Sequence, residues 1–173
     1  MARTAGLVIL SLFFAASAAL SAPAWTEYRP QEVAFSVQMP GQWKVTTETA
    51  NTAAGDIKVI SADIDSDTVS YAAVYAVYPA DKMRGRAVAT TLDGARNGAV
   101  SNTKGTLRKE DKIEVGSLPA RQIVIDTPSG IVVVMRFMMI GNALVQAVVS
   151  GPKGVENQPD TTRFLSSLKP VGS

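Results

Sequence analysis

Residues 118–151 read LPARQIVIDTPSGIVVVMRFMMIGNALVQAVVSG. The stretch breaks into three apolar runs separated by two turn signals, which predicts three consecutive antiparallel strands. Pro128-Ser129-Gly130 suits a three-residue hairpin loop, because proline presets φ and glycine accepts the left-handed position. Gly141-Asn142 suits a two-residue loop with glycine first, the pattern of a type II′ turn. The middle run, Ile131 to Ile140, is apolar on both parities except at Arg136. A strand that is apolar on both faces has to be covered on both faces. The rest of the chain must therefore supply two covers.

Upstream, Phe35–Met39 alternates apolar and polar residues and closes on the Pro40-Gly41 turn signal. Trp43–Thr47, Gly55–Asp65 and Val69–Tyr78 continue the two-residue period, so the region 25–78 reads as four or five strands. Pro79 ends that run. Asp81 is an N-cap candidate, and Val88, Leu92, Ala95 and Ala99 then recur at helical spacing. This predicts one helix over about 81–100, with Gly94 and Gly98 either allowing close packing or ending it early. The charged run Arg108-Lys109-Glu110-Asp111-Lys112 predicts an exposed edge strand or hairpin tip within 104–115. Asp160 is the candidate cap of a short helix over about 160–168, with Phe164, Leu165 and Leu168 on its apolar side. The expected fold is α+β: an α/β/α sandwich, its mainly antiparallel sheet covered by the two helices.

The first 24 residues carry one early basic residue, Arg3, an apolar and small-residue run from Leu7 to Leu20, and an Ala22-Pro23-Ala24 cleavage pattern. That run is shorter than the roughly 20 residues of a membrane span, and it reads as a signal peptide. The expected organisation is a signal peptide over 1–24 and a single domain over 25–173, periplasmic or secreted, with no stable membrane anchor after cleavage. The chain has no cysteine and no histidine. Packing rather than disulfides must then hold the fold, and the usual zinc, copper and haem ligands are missing. So are the Cys–His and Ser–His nucleophilic pairs. The formal charge of +2 includes Arg3, so the remainder is close to neutral and offers no electrostatic case for nucleic acid.

Three constellations invite chemical readings. Asp63-x-Asp65-x-Asp67 resembles the start of a calcium loop, but that loop wants glycine and glutamate where Thr68 and Val74 stand. Solvated carboxylates leading into a hairpin turn are the plainer reading. Tyr71 and Tyr75 share a strand parity that Tyr78 does not, which argues against one stacking platform. Ser101 and Lys104 form an isolated S-x-x-K pair with no supporting motif. Arg136 is the remaining candidate. With Pro-Ser-Gly as the loop it falls opposite Gln122, with Ala147 on its other flank. It either pairs locally or lines a cleft between the sheet and the 81–100 helix, binding an anionic ligand there. Arg121 has the opposite parity and should not converge with it.

The run Phe35-Ser36-Val37-Gln38-Met39-Pro40-Gly41-Gln42-Trp43 resembles the F-S-[apolar]-x-x-P-x-x-W opening of PsbP-like domains, whose fold is shared with a Ran-binding nuclear import factor. The resemblance extends in order through Gly116-x-Leu-Pro-Ala-Arg121 to the closing Arg163-Phe164-Leu165-x-Ser167-Leu168, and covers residues 30–169. It implies an exported bacterial member of that family, an accessory binding or assembly domain without shared catalytic residues. Taken together, the chain is expected to be no enzyme, to need no cofactor or metal, and to recognise another protein through a sheet edge or a helix–sheet cleft. The alternative is a small-ligand-binding protein using a helix–sheet cleft near Arg136.

Overall fold

The computed structural model describes residues 24–52, 55–66 and 68–172. Two antiparallel meanders join into one seven-stranded sheet. The first consists of β3 (Lys44–Thr52), β4 (Gly55–Ile64) and β5 (Ser70–Val77). The second consists of β6 (Thr106–Val115), β7 (Leu118–Asp126), β8 (Ile131–Ile140) and β9 (Ala143–Pro152). Its last strand comes back to pair with β5, giving the order β3-β4-β5-β9-β8-β7-β6. The stretch that decided the sequence reading is thus the centre of the second meander. Thr127 N–H donates to Ile131 across the Pro128-Ser129-Gly130 loop at 2.9 Å. Gly141, at φ 58°, takes the left-handed first position of the two-residue turn between Ile140 and Ala143.

Each face of β8 meets a different cover. On one side, Val132, Val134 and Met138 join a core with β1 (Trp25–Tyr28), β2 (Phe35–Pro40) and α3 (Pro159–Ser167). Phe35, Phe164 and Met39 are fully enclosed there. The expected helical cover on this side is therefore shared with a small sheet, in which β2 pairs with β1 and with β10 (Lys169–Pro170). The Gln38 N–H donates to Ser167 Oγ at 2.8 Å, tying that sheet to α3. Gln158, not Asp160, precedes the first helical residue, because Pro159 takes N1, where its missing N–H costs nothing.

On the other side, Val133, Met135, Phe137 and Met139 pack beneath α2 (Val88–Thr103), which crosses from the end of β5 to the far edge at β6. The single helix expected over 81–100 is in fact two. A one-turn α1 (Ala80–Met83) stops where Arg84 turns extended, Gly85 at φ 73° completes a turn closed by Arg86 N–H on the Met83 carbonyl, and α2 starts at Val88 without a side-chain cap. Asp81 thus sits inside α1 rather than capping a long helix. Val88, expected on the apolar face, is 42 % exposed. Leu92, Ala95 and Ala99 do face the sheet.

The charged run forms edge strand β6, which is also bulged between Leu107 and Lys109. Charge and bulge together blunt an edge against further pairing. The bulge also turns the strand, so that Leu107 packs on the α2 side and Ile113 on the opposite side.

Candidate functional site

Alpha-helix α2 does not lie squarely over the sheet. Buried Arg121 on β7 holds it toward the β6 edge, reaching Glu110 at 3.2 Å and Asp93 at 3.4 Å, while Arg96 meets Glu110 at 2.8 Å. The offset leaves part of β8 and β9 uncovered and opens a groove with a cavity volume of about 730 Å³. That volume lies within the usual range of small-molecule sites. Val133, Met135, Leu144 and Val148 form an apolar floor, with Gln146 among them.

The helical wall is made of small residues, Gly94, Ala95, Gly98 and Ala99. A Cβ added at Gly94 or Gly98 would meet nothing within 4 Å. Neither glycine is therefore there to let backbones approach, and neither ends the helix. Each costs the helix up to about 1 kcal/mol relative to alanine. What they leave is space. Thr91, on the same wall, is only 7 % exposed, and its hydroxyl has no hydrogen-bond partner among the described residues. A buried unpaired hydroxyl is costly and calls for an explanation.

One end of the groove is basic. Lys82 and Arg86 line it beside Tyr78, and no aspartate or glutamate is among the described residues that line the groove. Burial pushes the Tyr78 phenol above its ordinary pKa, and the Arg86 charge pulls it partly back. Arg86 makes no ion pair among the described residues, whereas Lys82 has only the loose 4.0 Å approach of exposed Asp81.

Arg136 is not in this groove. It shares its parity with Val134 and Met138 and so points to the opposite side of the sheet from α2. The expected pairing with Gln122 is present, with Nε and Nη2 donating to Gln122 Oε1 at 3.0 and 2.6 Å. Ala147 flanks it as expected. Burial without a carboxylate partner lowers its pKa. A cleft formed with α2 must therefore use other cations, and a binding role for Arg136 beside that helix is withdrawn. Arg121 and Arg136 lie on opposite faces, so no two-arginine clamp forms.

The other constellations give no site. Asp63 accepts hydrogen bonds from Ser61 and Thr46, and Asp67 lies outside the described residues. No cluster of three metal-ligating residues occurs among the described ones. Tyr71 and Tyr75 are core residues, while Tyr78 belongs to the groove. Lys104 ends α2 in the left-handed conformation, its N–H donating to the Ser101 carbonyl, so that pair is a helix terminus.

No protein-family model matches the chain, and no curated protein matches it. Solved structures do. The solution structure of cyanobacterial PsbP (CyanoP) from Synechocystis sp. PCC 6803 superposes with a TM-score of 0.59 at 9% identity, covering 92% of this chain and 98% of that one. The fold is PsbP-like. A Pseudomonas aeruginosa protein of unknown function also matches, at a TM-score of 0.46 and 12% identity, over 86% of this chain and 99% of that one. At such identities the likeness reaches the fold and stops there. In the PsbP-like fold of this chain, the sequence motif around Phe35 and Trp43 is explained by packing. Phe35 meets Tyr28 and Tyr75 edge-on, and Trp43 meets Tyr28 at 5.8 Å between ring centroids.

The groove residues Lys82, Arg86 and Thr91 were not picked out by sequence reasoning, and Tyr78 was weighed only with Tyr71 and Tyr75 as a stacking platform. A signal existed in the Gly94-Ala95 and Gly98-Ala99 repeat at helical spacing, which read as close packing when it marks a missing contact.

Proposed function

We propose that the chain is an exported, non-catalytic binding domain, and that its working surface is the groove between α2 and the sheet, where it takes a small apolar guest. The observation that carries this reading is the glycine wall. Two positions of an amphipathic helix give up helix stability where alanine would fit, and the space so left lies over an apolar floor.

A neutral dye such as N-phenylnaphthylamine, titrated by fluorescence, tests the reading. The native protein should bind it, and Gly98→Leu, whose added Cβ meets nothing within 4 Å, should weaken binding at least tenfold while still folding. No dye bound, or equal binding by both proteins, ends the proposal. Export is tested separately. N-terminal sequencing of the protein from the envelope or culture fraction should begin at Trp25, and an intact Met1 would remove it.

The second reading is recognition of another protein through a sheet edge, and one observation favours a particular edge. Strand β3 pairs with β4 in an unbroken register from Lys44 to Thr52 and has no neighbour on its other side among the described residues. Unlike β6, it carries no bulge, so its outer groups suit strand addition. A photo-crosslinking residue at Thr47 should then capture one stoichiometric partner that the same residue at Lys109 does not. Equal capture at both positions would count against β3.

A further inference from the structure

The groove is asymmetric in charge. Its sheet floor is mostly apolar, Asn102 and Thr103 line it toward the C-terminus of α2, and its near end holds Lys82, Arg86 and the Tyr78 phenol, with no lining carboxylate among the described residues. Taking the groove as the binding surface argued above, we propose that its guest is a fatty-acid-like carboxylate. Its tail lies along Met135, Leu144 and Val148, and its head group meets Arg86 and Lys82. Three features converge on an anion at that end. The guanidinium of Arg86 has no ion-pair partner among the described residues, although its planar fork matches a carboxylate in two parallel hydrogen bonds. The first turn of α2, which follows directly, contains no acidic residue and no side-chain cap, so nothing on it repels a negative head group. Thr91, one turn further on, supplies a buried hydroxyl without a partner.

The acids nearest in sequence are directed elsewhere. Asp93 is bound to Arg96 and Arg121, and exposed Asp81 lies at the outer reach of Lys82. A tail without a head group would leave Arg86 and Thr91 as they stand, and a cationic head would meet two like charges. An anionic head with an apolar tail is the one chemistry that uses both the apolar floor and the basic end.

Displacement of the neutral dye measures this directly, with dodecanoate, dodecanol, dodecylammonium and dodecyl phosphate as competitors. Dodecanoate should bind at least tenfold more tightly than dodecanol and weaken as salt is raised. In the Lys82→Ala/Arg86→Ala double variant that preference should vanish while dye affinity stays within about twofold, which shows the groove intact. Thr91→Val, which keeps the shape and removes the hydroxyl, should cost dodecanoate about threefold or more and leave the dye unaffected. Equal affinities for dodecanoate and dodecanol, or a preference that survives the double variant, would overturn the proposal while leaving the groove reading standing. A tenfold preference for dodecyl phosphate would overturn the choice of a carboxylate. Absence of dye binding by the native protein would overturn both.

Discussion

Burial holds the Tyr75 phenol neutral far beyond its ordinary range, pushing its pKa up to about 12, with the Glu32 charge adding to the effect. Its hydroxyl donates to Glu32 Oε2 at 3.2 Å, and the ring is closed over by Phe35. A phenol whose pKa is raised in the folded state favours folding below about pH 10, and that contribution is lost as pH rises toward 12. Ultraviolet titration should therefore show all four tyrosines ionising above their ordinary range with Tyr75 last, and Tyr75→Phe should remove the last phase; an unchanged last phase would assign it elsewhere. Arg136 makes the contrasting case. Its only hydrogen-bond acceptor among the described residues is Gln122, and its side chain is half-buried, so Arg136→Met should shift stability by no more than about 1 kcal/mol in urea unfolding. Dye binding in the groove should not change at all. The pairing of Arg136 with Gln122 was legible in the sequence because a three-residue loop fixes the register. The face on which the pair stands was not, since alternation says which residues share a side and nothing about what covers it.

At the level of elements, the helix shows where local pattern stops being informative. Leu92, Ala95 and Ala99 announced an amphipathic helix, and they do pack on the sheet. The lateral offset of α2 depends on longer-range contacts: Arg121, 25 residues beyond Arg96, holds the helix toward the β6 edge. Three substitutions separate these contributions. Gly94→Ala and Gly98→Ala should each stabilise the protein by up to about 1 kcal/mol, because the added methyl meets no obstacle and the helix loses a flexible position. Arg121→Met should cost about 1.5–3 kcal/mol, because Glu110 and half-exposed Asp93 each lose one of two arginine partners and keep only Arg96. Urea midpoints measure all three. Hydrogen exchange on α2 amides should quicken selectively in the arginine variant, and exchange quickened uniformly across the sheet would show that the network does not act on the helix in particular.

Across the whole molecule, the sheet divides two kinds of surface. On one side Phe35, Phe164, Leu168 and their neighbours are sealed by β1, β2, β10 and α3, and Arg163 stacks over Trp25 at 4.3 Å to close the rim. On the other side α2 covers β7 and β8 but leaves the groove beside β9. A seven-stranded sheet assembled from two meanders needs only one sealed face to acquire a core of this size, so the second face is free to trade packing for space. The consequence is a double dissociation between stability and binding. Phe164→Ala should cost about 3–5 kcal/mol, since the ring is fully enclosed and stacks edge-on with Tyr71 at 5.3 Å. Under conditions where that variant remains folded, its dye affinity should match the native protein's. Gly98→Leu should do the reverse, weakening dye binding while leaving the urea midpoint unchanged or raised. If Phe164→Ala loosened binding in the folded protein, the two faces would be coupled through the strands between them, and the sheet would have to be treated as a transmitting element rather than a partition.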